Sequence, residues 1–495
     1  MGREMRALVG VLLVLGAGGC IEWDLPVVVG DAGTDGDADM DIDSDTDIDS
    51  DTDTGTDTDS DEDTGPDGDI DADLDEDIVD EPDIDLDPDW DTDDADEADT
   101  DPDIDTEHDD RCRAGVTCGA DDGRIVDMAA GYNHTCARLA DCRLWCWGSN
   151  TAGQIGNGES GDSLDSPVEI LGFDWTASPT GGSEHTCAIA GAGRAYCWGE
   201  NSHQELGIGR GGGFETAPQR VIVIECVAGI VAGASHTCAW DEAGRAWCWG
   251  DNAYGQLGND DMDWSHTPIQ VGGALADFNV ISMAAGGAHT CAVTDEHEVY
   301  CWGHNDHGQV GATVVPGDAF APWHIDLPGA PGRTVGVTTG TNHTCAWTTV
   351  GELYCWGQNS TVAHQLGIPS AGDRALPWLL FSLSLPVTGA AAGTDHTCAW
   401  STGGQVYCWG LNTSGQSAGH VLADWTLVEA VVTNSEGDPL IDIVGMDAGA
   451  AHSCGWTITG QAWCWGSDAE GQLGNGADRM EDYPVLVHDP WAGIE

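Results

Sequence analysis

The sequence predicts an all-β fold: a seven-bladed β-propeller with four-stranded blades, preceded by a disordered acidic linker. Three observations carry that expectation. The pattern G-x-x-H-[TS]-C recurs seven times, with histidines at His134, His185, His236, His289, His343, His396 and His452, spaced 51, 51, 53, 54, 53 and 56 residues apart. A period of about 50 residues held this faithfully marks a propeller or a solenoid. Every copy carries a second cysteine ten residues after the first, then Trp-Gly. Each copy also has room for four short strands, and circular closure hides the sheet edges that a linear stack would leave open.

The cysteine pair defines the central hairpin of each copy. A turn signal such as Gly191-Ala-Gly193, Glu242-Ala-Gly244 or Thr402-Gly-Gly404 lies between the two cysteines, and the flanks are rich in Thr, Val, Tyr and Trp, which suit a pleated, half-buried surface. Folding about that turn sets the cysteines opposite each other on antiparallel strands. Cβ atoms so placed are roughly 4.5–5.5 Å apart or less, within disulfide reach. The expected bridges are Cys136–Cys146, Cys187–Cys197, Cys238–Cys248, Cys291–Cys301, Cys345–Cys355, Cys398–Cys408 and Cys454–Cys464. An aromatic residue precedes each second cysteine and Trp follows it. Strand alternation turns both away from the sulfur, as a layer to pack against the next blade.

The remaining elements follow in chain order. Residues 1–19 read as an export signal: Met1-Gly-Arg-Glu-Met-Arg6, an apolar run from Ala7 to Ala17, then Gly-Gly-Cys20. The run is too short to span a membrane. Ala17-Gly-Gly-Cys20 resembles the lipobox of bacterial lipoproteins, which implies that Cys20 becomes the lipidated first residue. Simple secretion, with Cys20 removed or free, is the alternative. Ile21 after the cysteine favours the outer membrane by the sorting rule of enteric bacteria. Localisation is thus expected in a bacterial cell envelope, exported and lipid-anchored.

Residues 20–110 form an Asp-rich stalk, much of it Asp-x-Asp, as in Asp41-Ile-Asp-Ser-Asp-Thr-Asp47. It lacks the means to build a core, and its like charges repel, so it reads as disordered and extended. Asp-x-Asp-x-Asp resembles the opening of a calcium loop. However, Gly55 and Gly65 stand one residue late and the closing Glu is absent. Calcium loosely associated with the stalk is the one cation expected; no cofactor is.

Residues 111–124 are a short lead-in with Cys112 and Cys118. The repeats occupy 125–488, divided at about 125–175, 176–226, 227–279, 280–332, 333–388, 389–442 and 443–488, and a tail covers 489–495. In each copy one strand precedes the G-x-x-H, two form the hairpin, and one follows a Pro-containing connection such as Pro167-Val-Glu-Ile170. Ring closure is expected to pair a strand from one terminus with a blade from the other. Cys112, Cys118, Cys142 and Cys226 fall outside the hairpins. A Cys112–Cys118 bridge is the first candidate, with capture of either by Cys142 as the alternative.

Net charge is −73, with 87 acidic residues against 14 basic ones. Such a chain repels phosphate backbones, which excludes nucleic acid as a partner. Nineteen cysteines, mostly paired by spacing, belong to an oxidising compartment.

The pattern G-x-x-H-[TS]-C-A, then [WY]-C-W-G, then N-x-x-G-Q-L-G resembles the regulator of chromosome condensation repeat, over about residues 125–488. The resemblance is specific for fold and weaker for function. The founder of that family is a chromatin-bound exchange factor for a small GTPase, a role at odds with an exported acidic chain. Its bacterial relatives include a secreted inhibitor that grips β-lactamases with one propeller face, which implies protein binding by loops.

Catalytic and metal sites are not expected. An active site is normally single, whereas a histidine needed in every blade serves the blade, here by bonding backbone between strands. The long connections Ala312–Arg333, Ile368–Thr388 and Gly419–Ile443 are where binding specificity would reside. Within them Ala375-Leu-Pro-Trp-Leu-Leu-Phe381 reads either as an exposed partner patch or as the fourth strand of blade 5. The leading expectation is a membrane-anchored, non-enzymatic propeller that binds an envelope or extracellular protein, or a polysaccharide, through its loops. Two alternatives are an envelope lyase or hydrolase, with unique polar residues at the central channel, and a structural envelope component.

Overall fold

The computed structural model describes residues 112, 118–119, 123–312, 317–329, 333–380, 386–417, 425–426, 431–477 and 479–490. The chain divides into Met1–Ala98 and Asp99–Glu495, and every described residue belongs to the second unit. The expected lipidation site Cys20 and the Asp-rich tract with its calcium reading lie outside the described residues.

Seven four-stranded antiparallel sheets follow one another, each built from four consecutive strands in order. Blade 1 comprises Ile125–Ala130, His134–Leu139, Leu144–Gly148 and Leu164–Glu169; blade 7 comprises Ile443–Ala448, His452–Thr457, Ala462–Gly466 and Glu481–Leu486. No blade therefore mixes strands from the two termini, contrary to the sequence expectation. The ring closes between complete blades: the Ala130 amide donates to Asp447 Oδ2 at 2.9 Å, the Ala450 amide to the Tyr132 carbonyl at 3.1 Å, and the Ile125 amide to the Gly460 carbonyl at 3.3 Å. Each blade has an upper end, carrying the first turn and the connection from third to fourth strand, and a lower end, carrying the hairpin turn.

The hairpin cysteines are register partners in every blade, for example Cys238 with Cys248, bridged at a Cα separation of 4.1 Å. Side-chain alternation puts the sulfur on one face and the neighbouring Ala and Trp on the other. The blades stack accordingly. Cys238 and Cys248 of blade 3 pack with Ala292 and Trp302 of blade 4, and Cys454 and Cys464 of blade 7 pack with Ala137 and Trp147 of blade 1. The Trp after each second cysteine is fully buried, but it faces the preceding blade rather than the following one. The Ala after the first cysteine leaves room for the preceding disulfide, which a larger side chain would fill.

Polar groups then lock each pair of blades. The His236 ring contacts Thr290 Oγ1 of the next blade through Nε2 at 2.9 Å, and the Thr290 hydroxyl donates to the Gln256 carbonyl at 3.0 Å. The same carbonyl accepts from Trp302 Nε1 at 2.9 Å. The hydroxyl proton is committed to a carbonyl, which only accepts, so Thr290 Oγ1 accepts from the histidine and the ring proton sits on Nε2. The arrangement repeats around the ring, from His134 and Thr186 to His452 and Thr135, with Ser453 replacing Thr once. The histidines therefore bond a side-chain hydroxyl of the next blade, not the backbone as expected from sequence. In blade 2 the acceptor carbonyl belongs to Glu205, which stands where the other copies carry Gln.

Two motif glycines follow from these contacts. A Cβ on Gly131 would lie 2.1 Å from His134 Cε1, so G-x-x-H reserves space for its own imidazole. Gly156 combines φ of 85° with a Cβ position 2.5 Å from Trp198 Nε1 of the next blade; only glycine meets both demands.

Burial strips the histidines of hydration and lowers their pKa values: to about 4 for His134, His236 and His396, and to about 3 for His185, His289, His343 and His452, where a neighbouring histidine adds repulsion. Burial instead raises Glu205 to about 8, with Glu200 and Asp251 adding to the rise. Its carboxyl accepts the His203 amide proton at 2.8 Å, the role that Gln256 plays toward Tyr254. Protonated, it reproduces an amide's mix of donor and acceptor.

Two outcomes follow for stability. Replacing Thr290 with Val deletes one hydroxyl and strands buried partners on both sides, so it should cost about 1–3 kcal/mol, read as a lower urea midpoint, with Thr290→Ser close to wild type. Histidines with depressed folded pKa values contribute fully above about pH 6.5, and that contribution fades as pH falls through 4 toward 3. Buried carboxyls act in the opposite sense: Glu205, raised to about 8, and Asp447, raised to about 6, lose stability as pH rises from the ordinary carboxyl range toward those values, and burial raises Asp127 and Asp395 as well, but these are four groups against seven. Urea midpoints of full-length protein should therefore drop steeply between pH 6.5 and 4; a flat profile would contradict neutral, buried imidazoles.

Candidate binding surface

The non-repeated cysteines pair differently from the first candidate. Cys118 joins Cys142 and Cys112 joins Cys226, with Cα separations of 5.4 and 5.1 Å; there is no Cys112–Cys118 bridge. The reason is local. The Gly119 amide donates to the Ala140 carbonyl at 2.7 Å, which lays Cys118 on the first hairpin turn beside Cys142. Cys112 reaches the junction of blades 2 and 3 instead. Cys142 and Cys226 both adopt left-handed backbone, φ 70° and 54°, a conformation that costs a non-glycine residue roughly 1–2 kcal/mol. Both bridges lie at the lower end, so the chain enters the propeller on its lower face.

The central channel is narrow where the first turns meet. Its mouth holds a cavity of about 90 Å³ lined by the repeated small positions, Ala130-Gly131, Ala232-Gly233 and their counterparts. The polar side chains in this lining are hydroxyls, Tyr132, Ser183, Thr339, Thr341 and Thr394, with no carboxylate, imidazole or amine among them. A larger cavity of about 730 Å³ opens at the lower face beside blades 2 to 4, lined by Thr176, Ala177, Val227, Trp240, Asn279 and Ile281 among others. It adjoins the blade whose inner strand is cut to Thr180–Gly181. Pro179 stands where the other blades continue the ladder and has no amide proton to offer.

Each long connection contains an outer strand. Ala319–Ile325 lies in the first, Arg374–Leu379 in the second and Trp425–Thr426 in the third. Residues 375–379 of the apolar run are thus the fourth strand of blade 5, with Leu376 and Trp378 still exposed at 55% and 44%; Phe381 lies outside the described residues.

The upper connections of blades 2 to 4 carry a feature that repeat-centred reading missed. Tyr254, Met262, Trp264 and Phe320 are all exposed. Trp264 packs on His203 with ring centroids 5.0 Å apart, and Tyr254 on His304 at 4.5 Å. Phe320 sits over Gly255, where a Cβ would lie 2.5 Å from its ring, and its carbonyl takes the Asp260 amide at 3.0 Å. The available signal was departure from the repeat: Tyr254 stands where blades 1 and 7 have Ala152 and Glu470, and Met262 and Trp264 belong to the segment Asp260-Asp-Met-Asp-Trp264.

His304, Asp306 and Asp318 also bring their ligand-type atoms within 4.8 Å of one another. Gln309 Oε1 accepts the His307 amide proton at 3.0 Å, which orients the amide so that its Nε2 donates to His304 Nδ1 at 3.0 Å. The ring proton of neutral His304 is thereby assigned to Nε2, facing Asp306 at 3.3 Å. As arranged, the group offers the carboxylates a proton rather than offering a metal a lone pair.

Peptide mapping of the native, non-reduced protein should recover Cys112 linked to Cys226 and Cys118 to Cys142, beside the seven hairpin pairs. A Cys112–Cys118 peptide would contradict the placement of the lead-in.

With this geometry in hand, comparisons place the chain. Models of the regulator of chromosome condensation (RCC1) repeat match residues 125–154, 227–256, 280–309 and 387–416 in one form and 141–189, 192–240, 243–293, 296–347 and 350–400 in another. The Arabidopsis thaliana ultraviolet-B receptor UVR8 is 28% identical over 370 residues, 74% of this chain and 82% of the receptor. Human probable E3 ubiquitin-protein ligase HERC6 is 30% identical over 256 residues, half of this chain but a quarter of the ligase. Among solved structures, Prp20p from Saccharomyces cerevisiae superposes with a TM-score of 0.59 at 20% identity, covering 73% of this chain and 87% of that one. The blade architecture, the seven repeats and these matches agree: the chain belongs to the regulator of chromosome condensation (RCC1) repeat family.

Proposed function

We propose that the protein is an exported, lipid-anchored propeller that binds a protein partner through its loops and performs no chemistry of its own. One observation carries the binding reading: the repeated histidines and hydroxyls are consumed in holding blades together, while the non-repeated Tyr254, Met262 and Trp264 stand exposed on one connecting loop. Relatives support it in kind. Yeast RCC1 (Prp20) has been solved bound to Kap60, and the Prp20p structure is described with its binding to Gsp1p and histones. A polysaccharide partner is the alternative ligand class. Export and anchoring rest on the Ala17-Gly-Gly-Cys20 motif and on nine disulfides, which persist in an oxidising compartment. The Asp-rich tract then serves as a spacer.

Two measurements separate the parts. Mass spectrometry of the mature protein should find diacylglycerol on Cys20 as the first residue, and Cys20→Ser should shift the protein from membrane to soluble fractions. Immobilised mature protein should retain a specific protein from envelope extracts; repeated failure to do so would count against loop-mediated binding, whatever the state of Cys20.

A further inference from the structure

We propose that the upper-face patch of blades 2 to 4, centred on Tyr254 and Trp264, is a docking site for a lysine- or arginine-rich protein segment. The inference rests on the loop-binding reading and does not depend on the lipid anchor.

The patch combines open aromatic rings with carboxylates. Tyr254 is 42% exposed and Trp264 45%. Each is backed by a histidine ring, His304 and His203 respectively, which limits its motion and leaves part of its surface to solvent. Met262 and Phe320 extend the apolar area. Asp260, Asp261, Asp263 and Asp306 stand exposed among these residues.

Charge selects the occupant. Upper-face arginines among the described residues are Arg210, Arg374 and Arg479, and each is engaged. Arg210 pairs with Glu215 at 2.5 Å, Arg479 with Glu481 at 2.6 Å, and Arg374 lies over the Trp378 ring at 5.0 Å. The chain contains no lysine. Asp260, Asp261 and Asp263 therefore face solvent with no arginine paired to them among the described residues, Asp306 having His304 beside it, around rings whose faces attract a cation. An anionic partner would be repelled, and a cationic side chain would gain both a ring face and a carboxylate.

The two extra bridges do not tie the lead-in to this face. Cys112–Cys226 and Cys118–Cys142 hold the incoming chain at the lower end, whereas the patch is built on connections at the upper end. The patch also departs from the repeat. Tyr254, Met262 and Trp264 make no contribution to the His–Thr–Gln network, so their apolar exposure has no architectural purpose.

The test is calorimetric titration of the full-length protein at physiological salt with a short peptide of alternating lysine and glycine, and in parallel with a neutral oligosaccharide. The Asp-rich tract should attract a cationic peptide by its charge alone, so the informative quantity is the change between variants that keep every charge. Tyr254→Ala with Trp264→Ala should weaken peptide binding by about tenfold, the loss expected for two exposed cation–π contacts. Leu376→Ala with Trp378→Ala, on the outer strand of blade 5, should leave it unchanged. Unaltered thermal unfolding in both variants confirms that the propeller is intact. Equal peptide binding by wild type and both variants would overturn the proposal, as would patch-dependent binding of the oligosaccharide alone. If envelope-protein capture persists in the Tyr254/Trp264 variant, loop-mediated binding stands and only this site is lost.

Discussion

One carbonyl per blade organises the propeller. The backbone oxygen of Gln256, and of its counterparts, uses both acceptor sites on the next blade, one for a threonine hydroxyl and one for an indole N–H. The hydroxyl in turn accepts from a histidine of the carbonyl's own blade. Three donors and acceptors are thus satisfied across each interface with little solvent, where an unmet partner is costly. The rest of the repeat accommodates this junction. The first glycine of G-x-x-H makes room for the imidazole, the last glycine of G-Q-L-G makes room for the neighbour's indole, and the alanine after the cysteine lets the preceding blade's disulfide approach.

That division of labour shapes where function can reside. Residues present in every copy are committed to interfaces, so they are poor candidates for recognition. Glu205 illustrates how strict the commitment is: a carboxylate in the glutamine position is tolerated because burial holds it protonated near neutrality, as a mimic of the amide. The channel mouth is formed from glycine and alanine with a few hydroxyl side chains. The loops, relieved of structural duty, vary freely. Their variation in blades 2 to 4 produces aromatic surface set among acids.

The two bridges outside the repeat have a different character from the seven inside it. A hairpin bridge spans ten residues already held by strand pairing, so it adds little order that the ladder lacks. Cys112–Cys226 spans 114 residues, and on the chain-entropy model closing a loop of that size stabilises by about 5 kcal/mol. It ties Cys112 to the junction of blades 2 and 3.

Much was legible in the sequence because the repeat reports on itself. The period announced seven blades, the ten-residue cysteine spacing announced a hairpin in register, and the Pro-containing connections located outer strands such as Leu164–Glu169, while residues 375–379 read equally as a strand or as an exposed patch. These are local relations within one blade. What lay between blades was not legible. The destination of each histidine, the side on which each Trp packs, ring closure without an exchanged strand, and the pairing of Cys112 with Cys226 all depend on which residues the curvature of the ring brings together, roughly 50 positions or more apart in the chain; Cys118–Cys142, 24 residues apart, was left open as an alternative. The aromatic patch belongs in part to the same class: Tyr254 and Trp264 share one connection, but only the stacking of consecutive blades brings Phe320, His203 and His304 against them.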